Sequence, residues 1–211
     1  MEPADAAELI GEVPEEPAAQ DSVNRFRSRA ALLIAVIAAV LAVGGLGGGN
    51  ATDAMLINTI RASDTWAFFQ AKNIRQTAYE IANVEIEGDL AEPGLDPATR
   101  ARLERRLAGN RATIARYDSE PDPAAPNDPT AGEGRRQLTA RARAHEAARE
   151  IAMARDDNFD WAEVLLQLAL VLGSVAILAI NRPILILSGL LGALGALLTL
   201  NGFTLLVALP L

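Results

Sequence analysis

His145 and Glu146 are the adjacent side chains best suited to acid–base or metal chemistry. A zinc protease of the HExxH type needs a second histidine at position 149, where Arg149 stands. His145 is the one histidine of the chain, and there is no cysteine, which excludes multi-histidine and thiolate metal sites. The sequence therefore predicts a protein that is not an enzyme, with no catalytic residue and no cofactor or metal site.

Asp156, Asp160 and Glu163 follow one another at helical spacing. Carboxylates on one helix face could hold a divalent cation. They could equally form a polar collar that keeps the end of a helix out of lipid, and the residues alone leave both interpretations open. A phosphate-binding loop is excluded, because the glycines at 44–49 end an apolar segment and no Gly-Lys-Ser/Thr follows them.

Composition indicates a membrane protein. The chain has 27 acidic and 19 basic residues, a formal net charge of −8, which argues against a nucleic-acid partner because binding phosphates needs a basic face. Half of its residues are hydrophobic, and three segments carry no charge: 30–52, 164–181 and 183–211. A helix needs about 20 apolar residues to cross a bilayer. We therefore predict lipid as a partner and three transmembrane helices, at 28–49, 161–181 and 183–209.

Arginines near the predicted spans indicate their orientation. Arg25, Arg27 and Arg29 precede the first span, and Arg182 lies between the second and third. Positive charge close to span ends favours the cytoplasmic side. The N-terminus is thus predicted to be cytoplasmic and residues 50–160 periplasmic or extracellular. The three charge-free segments hold no ionisable side chain in mid-membrane, which argues against a transporter or proton pump.

Helical patterns fill the segment between the first two spans. A packing seam, with apolar residues at alternating three- and four-residue spacing, is predicted on the first helix. A second seam of this kind is predicted on a helix that runs from residue 135 into the second span. A short helix near 98–117, with Asp96 as its cap, and a proline-rich loop at 120–134 lie between them. The first seam comprises Ile57, Ile60, Asp64, Ala67, Ala71, Ile74, Ala78 and Ile81; the second comprises Ala140, Ala144, Ala147, Ile151 and Ala154.

These elements predict an all-α membrane protein whose extramembrane domain, residues 50–160, is a helical hairpin resembling a coiled-coil stalk. Residues 1–27 are acidic and contain three prolines, so we predict a disordered tail. Small residues let helices approach closely in lipid. Gly189, Gly192 and Gly195 are expected to allow such close packing in the third span. The glycines at 44–49 fit either close packing or a hinge.

The hairpin register pairs specific residues. If both helices rise equally, Asp64 lies level with Glu146, between His145 and Arg149. A carboxylate in an apolar seam needs a partner. We therefore predict that Asp64 contacts Arg149 or His145, with Trp66 packed beside it. The alternative makes Asp64 and Lys72 a surface for another protein.

Two segments resemble a known family. Residues 62–74, ASDTWAFFQAKNI, resemble the ASD-x-W-A-x-x-Q-A-K-x-I stretch of an uncharacterised bacterial membrane-protein family, domain of unknown function 4337. Residues 158–163, NFDWAE, are similar to that family's entry into its second span. The resemblance covers roughly residues 28–205 and implies one span before, and two after, a helical extramembrane segment. It implies no activity, so Trp66, Gln70 and Lys72 join Asp64, His145 and Arg149 as structural or interaction candidates only.

The expected function is that of a structural or interaction protein of the bacterial inner membrane, without enzymatic activity. It would self-associate as a homo-oligomer or serve as an accessory subunit of a membrane complex. The alternative is a small channel or transporter component. A pore would have to use the few polar side chains of the second and third spans, which are Ser174, Ser188, Thr199, Asn201 and Thr204.

Overall fold

The computed structural model describes residues 16–208, with side chains from residue 20 onward. Over this range the chain is all α-helical, as predicted, and its one β-feature is an isolated bridge between Pro121 and Gly132. Two units are present, one formed by residues up to Thr52 and from Ala152, the other by Asp53–Ile151. The helices are α1 (Glu16–Ala91), α2 (Pro97–Asp118), α3 (Arg135–Ala179) and α4 (Arg182–Thr204).

Helix α1 is continuous over 76 residues. The helix includes residues 16–27 of the predicted tail, while residues 1–15 lie outside the described range. The glycines at 44–49 do not interrupt the helix.

Helix α2 begins as its capping residues predict. The Asp96 side chain accepts a hydrogen bond of 2.9 Å from the backbone N–H of Thr99, and Pro97 occupies the first helical position. Bonds from the backbone and side chain of Thr99 hold the pKa of the Asp96 carboxyl below its ordinary value. The prediction of this helix is confirmed. It could be made from the sequence because a helix cap depends on residues only a few positions apart.

Helix α3 spans 45 residues, which confirms one long helix from residue 135. A tight connection to α4 follows, in which Ile180 adopts φ 52° and the Asn181 side chain accepts from the N–H of Ile184 at 3.3 Å. Segments of α1, α3 and α4 are long and apolar enough to cross a membrane, in agreement with the three predicted spans. Helix α4 ends at Thr204, whereas the third span was predicted to end at residue 209. Residue 209 itself lies outside the described range.

Glycines bring the helices of the first unit into close contact. A Cβ atom on Gly47 would lie 2.5 Å from Cζ of Phe159, and one on Gly202 would lie 2.8 Å from the same ring. Gly48 also faces Phe159, whereas Gly45 and Gly49 have nothing within 4 Å. The close-packing interpretation of the glycines at 44–49 is thus confirmed for one face of the helix. Phe159, part of the NFDWAE segment, fills the cleft that these glycines leave.

Candidate functional site

The buried face of α1 in the second unit is not the predicted seam. Buried residues on this stretch include Ala62, Lys72, Gln76, Asn83 and Ile86. The large residues of the predicted seam are exposed instead: Ile57 by 46%, Ile60 by 51%, Ile74 by 69% and Ile81 by 58%. On α3, Leu138 and Ala142 are buried while Ala144, Ala147 and Ile151 are exposed. Both seam predictions are therefore wrong about which face packs inward.

The register of the two helices is nevertheless as predicted. Trp66 Nε1 donates a hydrogen bond of 2.8 Å to Glu146 Oε1, within two residues of the predicted pairing of position 64 with Glu146. Further along, Arg135 Nη1 donates at 2.8 Å to Gln76 Oε1, which follows the same register. Register depends on the equal rise of antiparallel helices and not on which face is apolar, so this prediction is confirmed.

Asp64 does not make the predicted pairing. Its side chain is exposed, and within the described part of the chain no hydrogen bond or ion pair joins it to Arg149 or His145. Because the helix turns its polar face inward, Asp64 lies in water and needs no partner. His145 Nδ1 lies 3.3 Å from Asn58 Oδ1, and Gln70 is exposed.

Lys72 is the centre of a charged cluster inside the second unit. Its side chain is 6% exposed, so the alternative that it forms a surface for another protein is wrong. The ammonium Nζ lies 3.2 Å from Glu120 Oε2 and 3.6 Å from Glu133 Oε2. It also lies 5.4 Å from the ring centroid of Phe68 and 5.6 Å from that of Tyr117. Two carboxylates and two ring faces together compensate the burial of the charge.

The lysine cluster, defined as Lys72 with these four residues, draws on three elements. Phe68 and Lys72 lie one turn apart on α1, Tyr117 belongs to the last turn of α2, and the two glutamates come from the loop at 120–134. Inside the loop, Glu133 N donates to Glu120 O at 2.9 Å. Gly132 adopts φ 122°, and a Cβ there would collide with the same carbonyl oxygen, so the closure requires glycine.

Arg141 holds the proline-rich loop from α3. Its Nε donates at 2.9 Å to the carbonyl oxygen of Thr130, and its Nη2 at 2.7 Å to that of Gly132. Asp128 accepts from the side chain and backbone of Thr130, and these bonds lower the pKa of its carboxyl. The loop is thus held in one shape, which fixes the positions of both glutamates of the lysine cluster.

The lysine cluster joins three segments of the second unit. Arg135 packs beside it, its guanidinium carbon 5.3 Å from the Phe69 ring centroid. Lys72, already a candidate from the family resemblance, is also the only lysine in the chain, beside eighteen arginines.

The carboxylates at 156–163 lie near the start of the predicted second span, and one of them bonds to α1. Asp156 Oδ1 accepts a hydrogen bond of 2.8 Å from Thr52 Oγ1. Among the residues that the structure describes, no group of three or more histidine, cysteine, aspartate or glutamate side chains is placed to hold a metal ion. The cation interpretation of Asp156, Asp160 and Glu163 thus gains no support.

The outward face of α1 is the candidate interaction surface. We define the α1 stripe as the eight residues of the predicted first seam, from Ile57 to Ile81. Their spacing alternates three and four residues without interruption, and all eight are exposed. Asp64 is the one charged member. An exposed aliphatic surface with this repeat is one on which a second helix packs.

Comparison with known proteins places the chain in a family. No curated protein and no solved structure matches it. The model of the family described as domain of unknown function (DUF4337) matches residues 26–205, which is most of the chain. This match agrees with the resemblance of residues 62–74 and 158–163, and the chain belongs to the DUF4337 family.

Proposed function

We propose that the protein is a structural or interaction protein, without enzymatic activity, of the bacterial inner membrane. In this proposal α1, α3 and α4 each cross the bilayer, and residues 50–160 form an extramembrane helical hairpin. The observation that carries it is the α1 stripe, an aliphatic heptad surface left uncovered on the outside of the second unit. The lysine cluster supports it by keeping the opposite face of α1 packed inward.

The proposed occupant of the α1 stripe is a second copy of the chain. A heptad surface packs best on a helix with the same repeat, and a second copy supplies one. Copies anchored in one membrane would align in parallel, which places Asp64 opposite its counterpart. Arg61, also exposed, stands one turn before Asp64 and can offset that repulsion. A single polar residue in such a seam sets the register at some cost in affinity.

A channel is less well supported. The polar side chains of the first unit bond to partners inside that unit: Ser188 donates to the carbonyl of Ala169 at 2.7 Å, and Thr199 to that of Gly195 at 2.9 Å. Asn201 Nδ2 donates to Asn158 Oδ1 at 2.8 Å. Residues that line an aqueous pore would turn these groups toward water.

Self-association is tested by replacing Ile74, in the second half of the stripe, with aspartate. Since Ile74 is exposed, the fold should tolerate the change, while burying a charge in the seam should weaken association by roughly tenfold or more. Ile151→Asp is the matched control, because Ile151 is also exposed and lies outside the stripe. The measurement is the mass distribution of the purified protein in detergent over a range of concentrations.

We expect a dimer for the parent and for Ile151→Asp, and a monomer for Ile74→Asp. A parent that is monomeric at every concentration would overturn self-association. A parent that purifies with a different chain, and loses it on Ile74→Asp, would instead establish the accessory-subunit version of the proposal.

Orientation is the second part of the proposal, with the N-terminus cytoplasmic and residues 50–160 periplasmic. It is supported by Arg25, Arg27, Arg29 and Arg182 beside the predicted spans. We expect a phosphatase reporter, active only outside the cytoplasm, to be active when inserted near Asn127. Fluorescence from a reporter that folds only in the cytoplasm, inserted at the same place, would reverse the orientation.

A further inference from the structure

Three arginines converge on one cavity in the first unit. The cavity has a volume of about 520 Å³. Arg25 and Arg29 come from α1, and Arg182 is the first residue of α4. The remaining lining residues are Ser22, Phe26, Leu185 and Ile186. Residues far apart in sequence thus build one basic, partly apolar pocket.

Three guanidinium groups give the pocket its charge. Within residues 20–208, none of the three arginines forms a salt bridge. Arg25 Nε donates at 3.2 Å to the backbone oxygen of Asp21. The Asp21 residue lines a neighbouring cavity together with Arg25 and Arg29. Among residues 20–208, the pocket is thus lined by three guanidinium groups and by no carboxylate.

The chemistry of the lining points to an anion with an apolar part. Guanidinium groups bind phosphate oxygens through paired hydrogen bonds. Phe26, Leu185 and Ile186 contribute apolar surface to the same pocket, and Ile186 is 64% exposed. A free inorganic anion would leave this surface in water. A phospholipid would cover it with the first part of an acyl chain.

We propose that this pocket binds the headgroup phosphate of an anionic phospholipid, with an acyl chain along Leu185 and Ile186. The pocket lies where α1 enters its charge-free segment and where α4 begins, the level of lipid headgroups if these helices cross the bilayer. The inference rests on the proposed membrane placement and is independent of the α1 stripe and of self-association.

The test measures lipid retention by the full-length protein. The protein is purified from nanodiscs that contain equal amounts of phosphatidylglycerol and phosphatidylcholine, and native mass spectrometry counts the lipids that remain bound. We expect the parent to retain phosphatidylglycerol, and the triple variant Arg25→Gln, Arg29→Gln, Arg182→Gln to retain it roughly tenfold less. Because both leaflets have the same composition, any change of orientation caused by lost charges does not affect the result.

The matched control removes three arginines of α2, as Arg100→Gln, Arg105→Gln and Arg106→Gln. All three are exposed, so net charge changes equally without touching the pocket. Retention should then stay at the parent level. An equal loss in both triple variants, or no preference for phosphatidylglycerol in the parent, would overturn the proposal.

Soluble competitors separate a membrane lipid from a free phosphate. Inorganic phosphate, or glycerophosphoglycerol as the headgroup without acyl chains, is added in tenfold excess over phosphatidylglycerol. We expect the lipid to stay bound, because only it contacts the apolar part of the pocket. Complete displacement by either competitor would mean that the pocket holds a soluble anion, against the proposal. Dimer formation, measured on the same samples, reports on the α1 stripe separately.

Discussion

Leucine in place of Gly192 is expected to lower the stability of the first unit more than any exposed substitution in it. A Cβ atom at this position would already lie 2.7 Å from Cδ1 of Ile37 and 3.8 Å from the Cβ of Ala169. Both neighbours belong to the apolar core of the unit. Overpacking of a filled core costs on the order of 3 kcal/mol, which corresponds to about 10 °C in melting temperature for a chain of this length. Thermal unfolding in detergent measures the change.

Gly45→Leu is the matched control for Gly192→Leu. Gly45 belongs to the glycines at 44–49 and has nothing within 4 Å of its would-be Cβ. Leucine should therefore be neutral or slightly stabilising there, since glycine is an unfavourable helix residue. Equal melting temperatures for Gly192→Leu and the parent would contradict the close approach of α4 to α1.

Loss of the Lys72 ammonium group is expected to have the largest effect in the second unit. Lys72→Ala leaves Glu120 and Glu133 without their cation and empties the space between the Phe68 and Tyr117 rings. Breaking a fully buried pair costs about 3–5 kcal/mol. The two glutamates are partly exposed here, so we expect the free energy of unfolding to fall by about 3 kcal/mol.

Two comparisons isolate the role of the charge. Lys72→Met keeps most of the contacts with the rings and should lose only part of that stability. Arg111→Ala removes an exposed ion pair, in which Arg111 Nη2 lies 2.8 Å from Glu87 Oε1, and should cost less than about 1 kcal/mol. Unfolding can be followed by Trp66 fluorescence in a Trp161→Phe background, which leaves one tryptophan. A Lys72→Ala variant no less stable than Arg111→Ala would contradict a structural role for the lysine cluster.

Sequence patterns predicted the helices better than the faces they bury. The spacing from Ile57 to Ile81 is that of an apolar seam, so it predicted the inward face of α1. Instead the inward face carries Lys72, Gln76 and Asn83, each of which bonds to a residue distant in the sequence. No local sequence pattern indicates that Glu120 and Glu133 pair with Lys72, because they lie about fifty or more positions away along the chain.

Properties that depend on near neighbours or on simple geometry were predictable. The α2 cap involves residues 96–99, and the α1–α3 register follows from the rise of a helix. The hydrogen bonds from Arg141 to the proline-rich loop could not be predicted, since their acceptors are backbone carbonyl groups, which every residue provides. The arginine pocket was missed for another reason: its arginines were used to assign orientation, and their meeting at Arg182 depends on the packing of α4.

The division of the first unit between the two ends of the sequence has a consequence for biosynthesis. Residues up to Thr52 are made first, and about a hundred residues, Asp53–Ile151, are made before the rest of that unit begins. At roughly 5–20 residues per second, translation of this stretch takes about 5–20 s. During that time, under the proposed membrane placement, the first span lies alone in lipid with its Gly47 and Gly48 face uncovered. The lone span is stable in lipid because a helix satisfies its own backbone hydrogen bonds. The cleft beside its glycines is filled only after Phe159 has been synthesised and packs against them.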